Sequence, residues 1–199
     1  MKVVIVTVPM MKAEKLKPQK YKGIEVCCPI NSILAKELEK DEKVKVIYIN
    51  TTGENSDWKQ HMDTFTNELN KINEEKGAIL EYTSLNIDFL PTNQTYNKMI
   101  TELSKNIPEN AEIYTDITFS YKPAILSLFC ALRFVELFRN AVIQYIVYGK
   151  VEFNKETDTP EKPVLFDITS LYYLFKLMGT MGNVDAETAS ETLKEFFEM

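Results

Sequence analysis

Residues 2–8, 44–50, 79–87, 111–117 and 142–148 are short runs rich in β-branched and aromatic residues, and a helical segment precedes each run after the first. The nearly unbroken apolar character of 2–8 and 44–50 is that of strands covered on both faces. Between them lies a polar, lysine-rich stretch and then residues 29–39, which read as a helix opening with Pro29 near its first turn. Residues 56–76 form the longest amphipathic segment. Trp58, Met62, Phe65, Leu69 and Ile72 recur there every three or four positions and share a face, and Gly77 stops the helix. Residues 93–105 repeat the pattern with Tyr96, Met99, Ile100 and Leu103. Residues 123–138 are almost wholly apolar, so this helix must be buried on most sides, under a sheet or in a subunit interface. A further strand over 164–168 follows a charged linker, residues 154–162, that contains Pro160; these features predict an antiparallel pair at one edge. Helices over 170–178 and 186–197, separated by Gly179 and Gly182, close the chain.

Strands alternating with helices predict a Rossmann-like α/β fold with a mostly parallel sheet of about six strands and helices on both faces, because parallel neighbours need a crossover. The 199 residues and 45% hydrophobic content suit one domain spanning 1–199. The net charge of −6 argues against general nucleic-acid binding, which rests on many Lys and Arg contacts to phosphate. It leaves room for one anionic ligand held by a few local donors. No segment reads as a targeting sequence or a membrane span; 123–138 is too short and carries Arg133 and Glu136. Cys27, Cys28 and Cys130 form no metal-binding spacing and the chain has one histidine, so no metal is expected, and reduced thiols in the cytoplasm are. Without a Walker loop or a GxGxxG turn, no nucleotide cofactor is expected either.

Open sheets of this kind bind ligands at the carboxyl ends of their strands. That rule selects three segments rich in small hydroxyl residues: Thr7-Val8-Pro9-Met10, Asn50-Thr51-Thr52-Gly53 and residues 116–122. In the last, a strand hands over to a helix whose unpaired N–H groups suit an anion. Thr118 and Ser120 add hydroxyls and Lys122 a flexible point charge suited to phosphate. Phe119 and Tyr121 offer faces on which a base could stack. The same Thr and Ser equally suit plain helix capping. Asp116 is expected to orient the loop by accepting backbone N–H bonds, since a carboxylate beside phosphate would repel it.

Other titratable residues read as structural. His61 falls on the polar side of the long helix as a solvated histidine, and Asp57, Asp63, Glu68, Glu74 and Glu75 as its charged solvent face. Tyr172 and Tyr173 read as packing residues of a late helix.

Asp116-Ile117-Thr118 followed by Lys122-Pro123 and an apolar helix resembles the signature loop of CARF (CRISPR-associated Rossmann fold) proteins of type III CRISPR systems. Tyr148-Gly149 within residues 146–153 and Asp167-Ile168-Thr169-Ser170-Leu171 within residues 164–174 resemble two further elements of that family, and Thr7-Val8-Pro9 stands where the family places its other ligand loop. Where many relatives carry His-Gly or Gly-Gly, this chain has Phe119-Ser120, which removes an easy left-handed position. The resemblance implies a homodimer whose pockets join into one two-fold site for a cyclic oligoadenylate, the tetra-adenylate favoured over the hexa-adenylate. It implies contacts from Thr7, Val8, Pro9, Met10, Thr118, Phe119, Ser120, Tyr121 and Lys122; the sheet-end rule adds Thr51 and Thr52. Two roles follow, a sensor acting alone or with a fused or associated effector module, and a metal-independent ring nuclease. In the second, Lys122 would stabilise developing charge and Thr7 or Ser120 would orient a ribose 2′-hydroxyl. No output module such as a HEPN domain is recognisable within the 199 residues, which favours the nuclease for a free-standing chain and the sensor for a piece of a longer one. An unrelated Rossmann-like nucleotide-binding protein is the alternative outside the family.

Overall fold

In a computed structural model, described over residues 1–52, 57–88, 92–153 and 160–198, eight strands and six helices alternate along the chain. They are β1 (Lys2–Thr7), β2 (Gln19–Tyr21), β3 (Ile24–Val26), α1 (Asn31–Glu37), β4 (Lys43–Thr52), α2 (Trp58–Lys76), β5 (Ile79–Asp88) and α3 (Asn93–Asn106). There follow β6 (Glu112–Asp116), α4 (Lys122–Arg139), β7 (Val142–Phe153), β8 (Pro160–Asp167), α5 (Thr169–Thr180) and α6 (Ala186–Glu198). A single 3-10 turn, Ala13–Lys15, lies between β1 and β2.

Six strands form one sheet in the order β5-β4-β1-β6-β7-β8. Every neighbouring pair is parallel except β7 with β8, the antiparallel edge expected from the linker between them. Period-two alternation divides the core. Val3 and Ile5 of β1 and Ile47 and Ile49 of β4 face Met99, Leu103, Leu128, Leu132 and Tyr172 of α3, α4 and α5. Val4, Val6, Val46 and Tyr48 face Ile33, Leu34, Phe65 and Leu69 of α1 and α2 on the other side. β1 is buried along its whole length, and each fully buried Val or Ile there contributes roughly 1.5–3 kcal/mol. This is a Rossmann-like α/β architecture with helices on both faces.

Several boundaries have local causes. Gly77 ends α2 in the left-handed region at φ 76°, accepting no side-chain strain. Asn140 ends α4 in the same region at φ 52°, and the Thr92 hydroxyl caps α3 by accepting from the Thr95 N–H at 3.2 Å. The short strands β2 and β3 pair as a hairpin, with β2 against β8 and β3 against α1; the lysine-rich stretch gave no sign of them. Gly179 lies inside α5 rather than between the last two helices, with Gly182 beyond its end. Gly53, Ser56 and most of the charged linker, residues 154–159, lie outside the described residues.

α4 is apolar around its circumference, but this chain covers one side only. Ala124, Leu128, Ala131, Leu132 and Val135 are buried, whereas Leu126, Phe134, Leu137 and Phe138 are exposed, Phe138 by 69%. Leu171, Phe175 and Met178 of the adjoining α5 are exposed as well. Among the described residues no helix is long and apolar enough to cross a membrane.

Candidate functional site at the carboxyl ends of the strands

From β1 the chain moves outward to β4 and β5, then returns to the other side of β1 as β6. Strand order therefore reverses between β1 and β6, the position at which open sheets of this kind form a ligand crevice outside the carboxyl ends of their strands. The loops after these two strands flank it. They carry Thr7 to Met10 on one side and Thr118 to Lys122 on the other.

Asp116 organises the crevice from below. Its carboxylate is 1% exposed; Oδ1 accepts from the Thr118 N–H at 2.9 Å and Oδ2 from the Ile30 N–H at 2.9 Å. Burial pushes its carboxyl up, against the opposing pull of these donors. The orienting role expected of Asp116 is the one it has. Its carbonyl accepts from Thr7 Oγ1 at 3.1 Å, tying the first loop to the second. Val8 and Pro9 are buried beyond that tie, and the Val8 N–H donates to the Ile49 carbonyl at 3.0 Å. Met10 is half-buried.

In the second loop, Thr118 Oγ1 accepts from the Gly149 N–H at 2.8 Å and binds the loop to β7. Ser120 Oγ makes only a long contact, 3.4 Å, with the Tyr121 carbonyl. Neither hydroxyl caps α4, whose N-cap is Tyr121 with no side-chain cap bond and whose first residues are Lys122 and Pro123. The helix therefore presents its N-terminal end beside Ser120 and an exposed Lys122. Lys122 also rims a groove of about 490 Å³ shared with Tyr96, Leu126, Ser127 and Cys130.

The two aromatic rings of the loop are less open than expected. Phe119 stacks on Phe65 of α2 at a centroid distance of 6.0 Å, and Tyr121 is half-buried against the α3–α4 side of the core. Thr51 is buried; Thr52 Oγ1 donates to the Ile87 carbonyl at 3.3 Å and lies 3.2 Å from Asp88 Oδ1, away from the crevice between β1 and β6.

Two residues of α2 depart from their expected roles. His61 is fully buried, not solvated, and its Nε2 lies 2.8 Å from the Met11 carbonyl. With Asp57 Oδ2, which accepts from the Ala13 N–H at 2.8 Å, it holds the segment after β1 against the helix. Glu68 is likewise turned inward: it accepts from the Cys27 and Cys28 N–H groups and from Asn31 Nδ2. Burial pushes its carboxyl up, while these donors pull the other way.

A cavity of about 260 Å³ lies beside Thr118 and Phe119, walled by the 3-10 turn, the β2–β3 hairpin and Gly149. Its Lys15, Lys17, Gln19 and Tyr21 were not singled out from the sequence, and Cys27 was read there only as a reduced thiol. The one available signal was Gly149, since a glycine inside a strand marks close backbone approach. A Cβ there would sit 2.8 Å from Pro29 Cγ and 3.0 Å from the Tyr21 hydroxyl, so glycine lets the hairpin segment close on β7. Among the described residues no cluster of three or more His, Cys, Asp or Glu is placed to hold a metal ion. Neither a protein-family model nor a curated protein sequence matches this chain.

Proposed function

We propose that the chain is a CARF-type sensor that binds a cyclic oligoadenylate, preferentially the tetra-adenylate, across a cytoplasmic homodimer in type III CRISPR antiviral defence. The observation that carries this reading is the start of α4. It lacks a side-chain cap, begins at Lys122, and stands where the sheet order reverses beside the loop after β1. Phosphate is the chemistry that suits such a site: backbone N–H groups, the positive end of the helix and one lysine act together. The uncovered apolar side of α4 and α5 supports the dimer, because contiguous exposed apolar surface marks an association site. A two-fold site reads an even-membered ring twice with the same residues, by itself or as the regulatory part of a linked effector.

Cleavage of the ring has weaker support from the geometry. The Thr7 hydroxyl is buried and engaged by the Asp116 carbonyl, which leaves Ser120 and Lys122 as the groups for orienting a 2′-hydroxyl and stabilising charge. Incubation with labelled cyclic tetra- and hexa-adenylate in EDTA, resolving complexes and products, tests both readings. Retention of intact ring supports the sensor, and linear fragments ending in a cyclic phosphate support the nuclease. Binding of neither ring overturns both.

A further inference from the structure

The cavity between the hairpin and the ends of β6 and β7 has a composition unlike the rest of the surface. Residues 11–22 hold five lysines, Lys12, Lys15, Lys17, Lys20 and Lys22, with Glu14 as the single acid, in a chain of net charge −6. All five are exposed, and none forms an ion pair with another described residue. Lys15 and Lys17 stand at the cavity itself. Its interior is apolar and aromatic: Leu16, Val151 and Phe119 line it, the last held firm by its stack on Phe65. Gln19 and Thr118 supply the polar groups, and Thr118 belongs also to the loop that leads into α4.

An apolar, aromatic slot with a few polar groups and two cations at its mouth suits a flat heteroaromatic base joined to a phosphate. A purely apolar ligand would leave the lysines unused, and an inorganic anion would leave the slot empty. We propose that the segment from Lys15 to Tyr21 forms a second nucleotide subsite, in which Lys15 and Lys17 hold a phosphate and the slot lined by Phe119 takes the attached base. This rests on the reading of the chain as a cyclic oligoadenylate receptor and assigns one nucleotide unit of the ring to the hairpin side of the Thr118 loop. Residues 15–21 thereby become specificity determinants that the strand-end rule does not reach.

The test compares cyclic tetra- and hexa-adenylate binding by wild type, Lys15→Glu/Lys17→Glu and a charge-matched control, Lys71→Glu/Lys194→Glu, whose side chains are exposed on α2 and α6. Loss of two phosphate contacts lowers affinity by about tenfold or more relative to the control. A second readout uses the native thiols. Cys27 lines the cavity, Cys130 lies in the groove beside Lys122, and Cys28 is buried. The bound ring protects Cys27 from alkylation, followed after digestion by mass spectrometry of the peptide that carries Cys27. If the lysine variant binds the ring as the control does and Cys27 is alkylated equally with and without ring, the subsite is overturned and the receptor reading stands. If wild type binds neither ring, both fall together.

Discussion

Thr7 and Asp116 close the switch point of the sheet from beneath: the Thr7 hydroxyl donates to the Asp116 carbonyl at 3.1 Å, between the ends of two parallel strands. The same aspartate uses its carboxylate to gather the Thr118 and Ile30 N–H groups, so one buried residue sets three backbone segments. The proposed anion site at the start of α4 rests on that arrangement rather than on any charge of Asp116.

Replacing this carboxylate is therefore a change in architecture. Asp116→Ala leaves the buried Ile30 N–H and the part-buried Thr118 N–H without their acceptor and is expected to lower unfolding free energy by about 1–3 kcal/mol, whereas Asp116→Asn, which keeps one acceptor, costs less. Urea unfolding of the two variants checks the order. Equal stability of wild type and the alanine variant would contradict it.

Gly149→Ala is expected to destabilise by about 1–3 kcal/mol, because the added carbon meets Pro29 Cγ at 2.8 Å and the Tyr21 hydroxyl of the hairpin at 3.0 Å, and both must move away from β7. The same variant should loosen the cavity wall, seen as faster hydrogen exchange at Tyr21. Unchanged exchange there would show that the hairpin does not depend on this close approach.

Glu136 joins α4 to α5 through Lys176 and Tyr172, and pairs with Arg133 one turn away on its own helix. Burial raises its carboxyl, but the hydrogen bonds from Lys176 and Arg133 outweigh burial and hold it below the usual carboxylate range. A depressed carboxyl contributes stability above its unfolded value and loses it as pH falls through the folded one. Wild type should thus exceed Glu136→Gln in stability at neutral pH, and the difference should shrink in acid, below the ordinary glutamate range. Parallel thermal melts across that window measure it; a difference independent of pH would contradict the assignment.

The uncovered side of α4 predicts an association surface. Phe134→Glu/Phe138→Glu places charge on exposed positions and should give a monomer with a melting temperature within a few degrees of wild type, by light scattering and calorimetry. A wild-type monomer would remove the basis for a two-fold site.

The strand and helix order was legible because β1 and β4 are buried on both faces and α2 and α3 carry a clear helical period. The role of Asp116 was legible because a carboxylate at a strand-to-helix turn finds backbone donors nearby. What escaped is long-range. His61 precedes Phe65 by four positions and so shares its buried face, yet its polarity suggested solvent. Glu68 turns inward because Cys27, Cys28 and Asn31 bring donors to it from outside the helix. Phe119 looked like an open platform until Phe65 closed one side of it. The hairpin left no periodic trace because each of its strands has three residues.

The most direct test of the central claim is native mass spectrometry of the chain with cyclic tetra-adenylate, beside Lys122→Ala. The account predicts a complex of two chains with one intact ring, and affinity lower by about tenfold or more in the variant. No complex with the tetra- or hexa-adenylate, or a variant that binds as tightly as wild type, would contradict it.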